Sequence, residues 1–216
     1  MDTFKRYLEE RGIEVTGQIF IDHNYEFYSE NGIQLLDEHQ SEPLHELIQW
    51  MNRESDNFYT EMFLKKAVAE VYDVQGSTDL GLEMIKSYMQ EMSFDTTQVS
   101  LKDASGMAPA TLLMASDLNR YLLNVQEKEY FPYLYESLSV GGRNGTLSYR
   151  FNNSPVWGNF NGKTGFVTGV RSLSGYLETE SGQRLIVSIF TNNYTAKTSH
   201  VDLIHQRILE YLHSAY

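Results

Sequence analysis

Up to about Gly141, apolar residues recur every three or four positions; beyond it they mostly alternate, so the chain reads as a helical part followed by a strand-rich part. Phe4, Tyr7 and Leu8, with Gly12 just past them, predict a helix over 3–11. The stretch Ile13–Ile21 alternates and reads as extended, and 24–32 as loop. Ser41 before Pro43 marks a helix start, with Leu44, Leu47, Ile48 and Met51 on one face. A second helix runs from Asn57 through Phe63, Leu64, Ala67, Val68 and Val71. Gly76-Ser77-Thr78 breaks it, and a third spans Asp79 to Met92. Val99-Ser100-Leu101 reads as a short strand, Lys102 to Gly106 as a loop and 110–125 as a helix, with a short helix after Pro132.

Gly141 to Thr146 is a turn cluster. Three strands are expected near 156–164, 168–178 and 184–192, the last two joined at Glu180-Ser181-Gly182. A closing helix from Ser199 to His213 would bury Val201, Ile204, Ile208 and Leu212. Helices first, then an antiparallel meander covered by a C-terminal helix, is an α+β arrangement. With no repeat, low-complexity tract or linker, residues 1–216 read as one domain.

Composition narrows the function classes. At 41% hydrophobic and 13% aromatic, 216 residues can build a sizeable core, which excludes a disordered chain. The strongest apolar run, Leu185 to Phe190, is far short of the ~20 residues of a membrane span. Seventeen basic against 29 acidic residues give a net charge of −12 with no basic stripe, so nucleic acid and anionic membranes are poor partners. Without cysteine, disulfides, thiolate catalysis and thiolate zinc sites are excluded. The six histidines never fall at i,i+4, and dinucleotide, P-loop, nucleophile-elbow and zinc-protease motifs are absent, so neither a metal nor a cofactor is expected. The N-terminal residues form an amphipathic pattern without the apolar stretch of a signal peptide.

Two short strings remain. Ser55-Asp56-Asn57 joins two helices, where such residues ordinarily cap free N–H groups. Lys163-Thr164-Gly165 lies near the end of a strand, where a polar exit and a turn glycine are ordinary. In this order, one on the helical half and one on the sheet half, they match two of the three elements of active-site-serine enzymes that react with penicillin.

The flanks sharpen the match. Trp50-Met-Asn-Arg-Glu-Ser-Asp-Asn-Phe-Tyr-Thr-Glu61 resembles the "MN..SDN..AE" helix of D-alanyl-D-alanine carboxypeptidases of the penicillin-binding protein 4 type. Lys102-Asp-Ala-Ser-Gly-Met107 is similar to their "DGSGLS" loop. Gly162 to Leu177 and Gly182 to Asn193 resemble the KTG strand and the "SLAGYV" and "G..L.FSI..N" strands. The resemblance runs from about Phe4 to the end and implies the C-terminal portion of the serine β-lactamase/penicillin-binding transpeptidase-like fold.

That resemblance also implies roles. Lys163 would supply positive potential beside the substrate carboxylate and Thr164 would bind it. Gly165 would let the substrate lie close to the strand edge, and the backbone N–H of Phe166 would donate to the oxyanion. Ser55 would relay a proton to the leaving group while Asn57 holds the substrate amide and the lysines, so Asn57 and Lys163 should face one cleft. Asp103 and Ser105 belong to the substrate-binding loop. The substrates would be peptidoglycan stem peptides and β-lactams, and the full-length parent would work in the periplasm or cell envelope.

Three features depart from the pattern. The family nucleophile is the serine of Ser-x-x-Lys, and no lysine here has Ser or Thr three positions before it. The chain is therefore expected to be the C-terminal part of a split catalytic domain, inactive by itself and partnered by the missing N-terminal half. Phe166 replaces the usual hydroxyl residue after KTG, and Ala104 stands in the Asp-Gly-Ser-Gly loop. Two other readings fit the motifs. A class A β-lactamase would need Glu-x-x-x-Asn between them, and Glu91 is followed four later by Asp95. A non-catalytic module could retain the groove and bind peptidoglycan peptides or a partner.

Overall fold

In the computed structural model, which describes residues 2–18 and 38–216, the chain forms two units, Met1–Ser41 and Glu42–Tyr216. In the first, helix α1 (Asp2–Glu9) is supported by Lys5–Glu9 and Arg6–Glu10 ion pairs one turn apart. It ends in a Schellman turn: Gly12 adopts φ 78°, the N–H of Ile13 reaches Leu8 O and that of Gly12 reaches Glu9 O. The predicted helix over 3–11 is thus present, with its last residues in the turn. Residues 13–18 form no regular strand. The rest of the extended stretch expected to Ile21, and the loop expected over 24–32, lie outside the described residues.

In the second unit the helices are α2 (Leu44–Glu54), α3 (Asn57–Tyr72), α4 (Thr78–Glu91), α5 (Ala115–Asn124) and α6 (Phe131–Ser137), with α7 (Thr198–Ala215) closing the chain. Caps set two of the starts. The Asp56 carboxylate accepts the N–H of Tyr59 to open α3, and the Ser77 hydroxyl accepts that of Leu80 to open α4. Between α4 and α6 the backbone departs from the expected elements. The expected strand at 99–101 is a single bridge, Ser100 to Leu112. Because Leu112 is held in that bridge, the helix expected from 110 starts only at Ala115.

Strands β1 (Ser139–Val140), β2 (Phe160–Val167), β3 (Val170–Glu178) and β4 (Arg184–Asn192) form an antiparallel meander in chain order. The strand expected from 156 begins at Phe160, since 154–159 is occupied by consecutive turns that return Ser154, Trp157 and Asn159 N–H groups to nearby carbonyls.

Helices cover both faces of this sheet. On one, Phe160, Leu173, Leu177 and Val187 pack with Leu147, Phe151, Val156 and Leu209 of α7. On the other, Tyr176 meets Leu122 of α5 and Leu138, flanked by Phe131, Tyr135 and Ile186. The Tyr176 hydroxyl donates to Leu122 O at 2.7 Å, which satisfies the one polar atom of a fully buried ring. A third cluster, Met89, Met92, Phe94, Val99 and Val125, binds α4 to the end of α5. The architecture is α+β, as the period change predicts. The buried face of α7 differs from the expectation by a step: Val201, His205, Leu209 and His213 point inward, whereas Ile204 is 56% exposed.

Candidate active site

Two residues separate α2 from α3, and they fix the first candidate group. Ser55 takes the left-handed conformation (φ 57°, ψ 49°), and the N–H groups of Ser55 and Asp56 both return to Met51 O. A non-glycine residue in that region costs roughly 1 kcal/mol. Asp56 follows in extended conformation and caps α3. The ordinary capping role foreseen for this string therefore belongs to Asp56, which leaves the side chains of Ser55 and Asn57 uncommitted to it.

Helix α2 is anchored to the end of α6. Arg53 Nη2 donates to Glu136 O at 2.7 Å, and Asn52 Nδ2 donates to Ser137 Oγ at 2.7 Å. Gly145 allows the loop after β1 to approach the same helix. It has φ 54°, and a Cβ there would lie 2.3 Å from Ser139 Oγ and 2.8 Å from Arg53 O. These contacts set the end of α2 beside β2.

There, Lys163 Nζ donates to Ser55 Oγ at 2.5 Å and to Thr164 O at 3.0 Å. Burial pushes the Lys163 ammonium down to about 8, and like-charge repulsion from Arg171 adds to the effect. Thr164 Oγ1 donates to Thr146 Oγ1 at 2.9 Å. The direct contact across the two motifs is made by Ser55; Asn57 is exposed at the first position of α3 and forms no hydrogen bond with Lys163.

Strand β2 offers a free edge at this point. Its partner β1 pairs only as far as Gly162, and Phe160 O accepts the Gly141 N–H on that side. Backbone groups alternate along a strand, so those of Thr164 and Phe166 face the same edge, which no strand among the described residues covers and where Thr164 O accepts only from Lys163 Nζ. Phe166 N–H is thus available to an incoming acceptor, whatever its side chain. Gly165 faces Ser172 across the β2–β3 pair, where a Cβ would come within 2.3 Å of Ser172 Oγ.

Between this strand and helices α5 and α6 lies a cavity of about 320 Å³. Its walls are mainly Leu113, Leu118, Leu122, Leu134, Leu138 and Phe190, and Asn52, Lys163 and Thr164 supply polar groups. Asp103 and Ser105 lie in the loop after the Ser100 bridge. Asp103 Oδ2 accepts the N–H groups of Met107 and Ala108, both at 2.8 Å, and the Ser105 hydroxyl at 3.3 Å. Glu61 Oε1 of α3 accepts the N–H groups of Ala104 and Ser105 at 3.0 and 2.9 Å. The loop is therefore tied to the helix that Ser55-Asp56-Asn57 introduces, and Ala104 is accommodated in it. Glu61, Asn52 and Thr146 were not singled out from sequence; Asn52 and Glu61 lie inside the string that carries the resemblance, whereas Thr146 has no local signal.

No group of His, Asp or Glu suited to a metal ion occurs among the described residues. None of the described helices is long and apolar enough to cross a membrane.

Comparison with known proteins gives a consistent result. The D-Ala-D-Ala carboxypeptidase 3 (S13) family is matched over residues 1–210. D-alanyl-D-alanine carboxypeptidase DacB of Haemophilus influenzae is 27% identical over 196 residues, covering 90% of this chain and 40% of that protein. Penicillin-sensitive carboxypeptidase A of Dictyostelium discoideum is 28% identical over 224 residues, covering 97% of this chain and 41% of that protein. The chain therefore spans about two-fifths of the length of these curated relatives. Among solved structures, penicillin binding protein 4 from Haemophilus influenzae superposes with a TM-score of 0.88 at 24% identity, over 99% of this chain and 48% of that one. TLA-3 extended-spectrum β-lactamase shares the fold more distantly, with a TM-score of 0.57 at 13% identity, over 96% of this chain and 78% of that one.

Proposed function

The chain belongs to the D-Ala-D-Ala carboxypeptidase 3 (S13) family, and from that premise we propose that it forms part of a serine-type D-Ala-D-Ala carboxypeptidase/endopeptidase acting on peptidoglycan stem peptides. The observation that carries this reading is the 2.5 Å contact of Lys163 Nζ with Ser55 Oγ. It joins two motifs that are far apart in sequence, and each has a commonplace explanation when taken alone.

The substrate peptide lies along the free edge of β2. Cationic Lys163 and the Thr164 hydroxyl hold its terminal carboxylate, and the Phe166 N–H donates to the oxyanion. Ser55 passes a proton to the departing D-Ala amine, and Asn57 holds the substrate amide. The attacking serine and its lysine come from a Ser-x-x-Lys segment outside these 216 residues, and an acyl-enzyme forms on that serine before water releases it. The apolar cavity beside Lys163 and Asn52 can receive apolar side chains of such a segment. The complete protein would work in the periplasm or cell envelope, where its substrate is found.

Absence of the Ser-x-x-Lys pattern from the sequence favours a second reading, a non-catalytic module that binds peptidoglycan peptides or a partner. One assay separates the two. The 216-residue chain is expected to form no covalent adduct with a fluorescent penicillin, because loss of the nucleophile removes several orders of magnitude of rate. A longer polypeptide from the same coding region carrying Ser-x-x-Lys is expected to label, and Lys163→Ala to reduce that labelling by about two orders of magnitude. If no such polypeptide labels, while the chain still binds stem peptide, the module reading replaces the enzyme.

A further inference from the structure

The contact between Ser55 and Lys163 has the composition of a nucleophile and a base. The 2.5 Å separation is within the range for proton transfer through an existing hydrogen bond. Lys163 Nζ has a second acceptor, Thr164 O at 3.0 Å, which orients it. A neutral amine retains two N–H groups and gains a lone pair. It can therefore keep the bond to Thr164 O while accepting the hydroxyl proton of Ser55. Ser55 is held in the left-handed region between two helices, so its backbone is fixed by α2 and α3 together.

We propose that Ser55 and Lys163 form a serine–lysine dyad within this chain, able to take up a small uncharged acyl or phosphoryl electrophile on Ser55 Oγ without any Ser-x-x-Lys segment. In the reaction, the Ser55 hydroxyl proton passes to neutral Lys163 Nζ as Oγ bonds to the electrophilic carbon or phosphorus. The leaving group departs with the bonding electrons, and Lys163 is left as an ammonium.

The class of electrophile follows from charge. One lysine cannot be both a base and a cationic partner for a carboxylate. A substrate carboxylate or a penicillin stabilises Lys163 as the ammonium and so removes the base; a neutral reagent does not. This activity goes beyond the carboxypeptidase reading, in which Ser55 relays protons and another serine attacks. Burial makes it accessible near neutral pH: with Lys163 lowered to about 8, roughly one-tenth of the amine is neutral at pH 7 and nine-tenths at pH 9.

The test is incubation of the 216-residue chain with diisopropyl fluorophosphate between pH 6 and 10, followed by intact mass and peptide mapping. In this case the Oγ–P bond forms, the P–F bond breaks and fluoride leaves. A single adduct on Ser55 is expected, its rate rising about tenfold from pH 7 to pH 9 and then levelling. Ser55→Ala should abolish it, and Lys163→Arg, which keeps the charge but cannot act as base, should slow it about a hundredfold. Mapping and the pH profile of the unaltered chain decide the matter even if a variant fails to fold. Modification of a different residue, no adduct, or a rate independent of pH would overturn the dyad. Penicillin labelling tests the carboxypeptidase reading separately, so either can fail alone.

Discussion

His205 shows how a single side chain of α7 depends on its surroundings. It is fully buried; Nε2 pairs with Thr191 Oγ1 at 2.9 Å, and Nδ1 has no partner among the described residues. Beside it, Arg150 and Arg171 share the Asp202 carboxylate at 3.3 and 2.8 Å, two cations on one anion. Burial, followed by the positive charge of Arg150, holds the His205 imidazolium below its ordinary range; Asp202 opposes this and Arg171 adds to it. In the unfolded chain the same histidine takes up a proton near pH 6.5. The unfolded state therefore binds more protons as pH falls through that value. The stability His205 contributes is complete above it, declines below it, and levels off only beneath the folded value. Thermal melts at pH 7.5 and 5.0 should show a larger loss for the natural chain than for His205→Gln. Equal losses would mean that His205 is charged in the fold.

On the scale of elements, α7 tests the basis on which a buried face is chosen. Hydrophobicity selects Ile204 and Ile208, yet these are 56% and 38% exposed. His205 and His213 take the inner positions, where one ring nitrogen of each finds a partner, Thr191 Oγ1 for His205 and Glu178 O at 2.7 Å for His213. Leu209 is 0% exposed in the core beneath the sheet. Leu209→Ala should cost about 2–5 kcal/mol, and Ile204→Ala no more than about 0.5 kcal/mol, both read from urea unfolding. Similar losses at the two positions would contradict this register.

For the whole molecule, the free edge and the cavity, proposed above to receive a substrate and a further segment, are liabilities in this chain. The outward N–H and C=O groups of β2 beyond Gly162 can pair with another copy, and the leucine-lined cavity offers apolar surface. A net charge of −12 opposes association by repulsion that salt screens. Sedimentation velocity is expected to show self-association of the 216-residue chain that increases with ionic strength. A monodisperse, cooperatively melting monomer at all salt concentrations would indicate that neither surface needs covering.

What the sequence determined by itself is local in origin. The period of apolar residues distinguished helices from strands, and breaks such as Gly76-Ser77-Thr78 and turns such as Gly12 placed several ends, because these features involve residues a few positions apart. The two motifs and their flanks were legible as strings, and with them the family. The strand expected at 99–101, the helix expected from 110 and the start of β2 were misplaced, because distant or competing backbone hydrogen bonds decided them. The site likewise required the tertiary structure. That Ser55 rather than Asn57 meets Lys163 depends on the αL turn at Ser55 and on α2 being tied to Glu136 and Ser137. The lowered proton affinity of Lys163 is a consequence of burial between sheet and helices. A lysine's charge state responds to whatever surrounds it in space, and neighbours along the chain are only a small part of those surroundings.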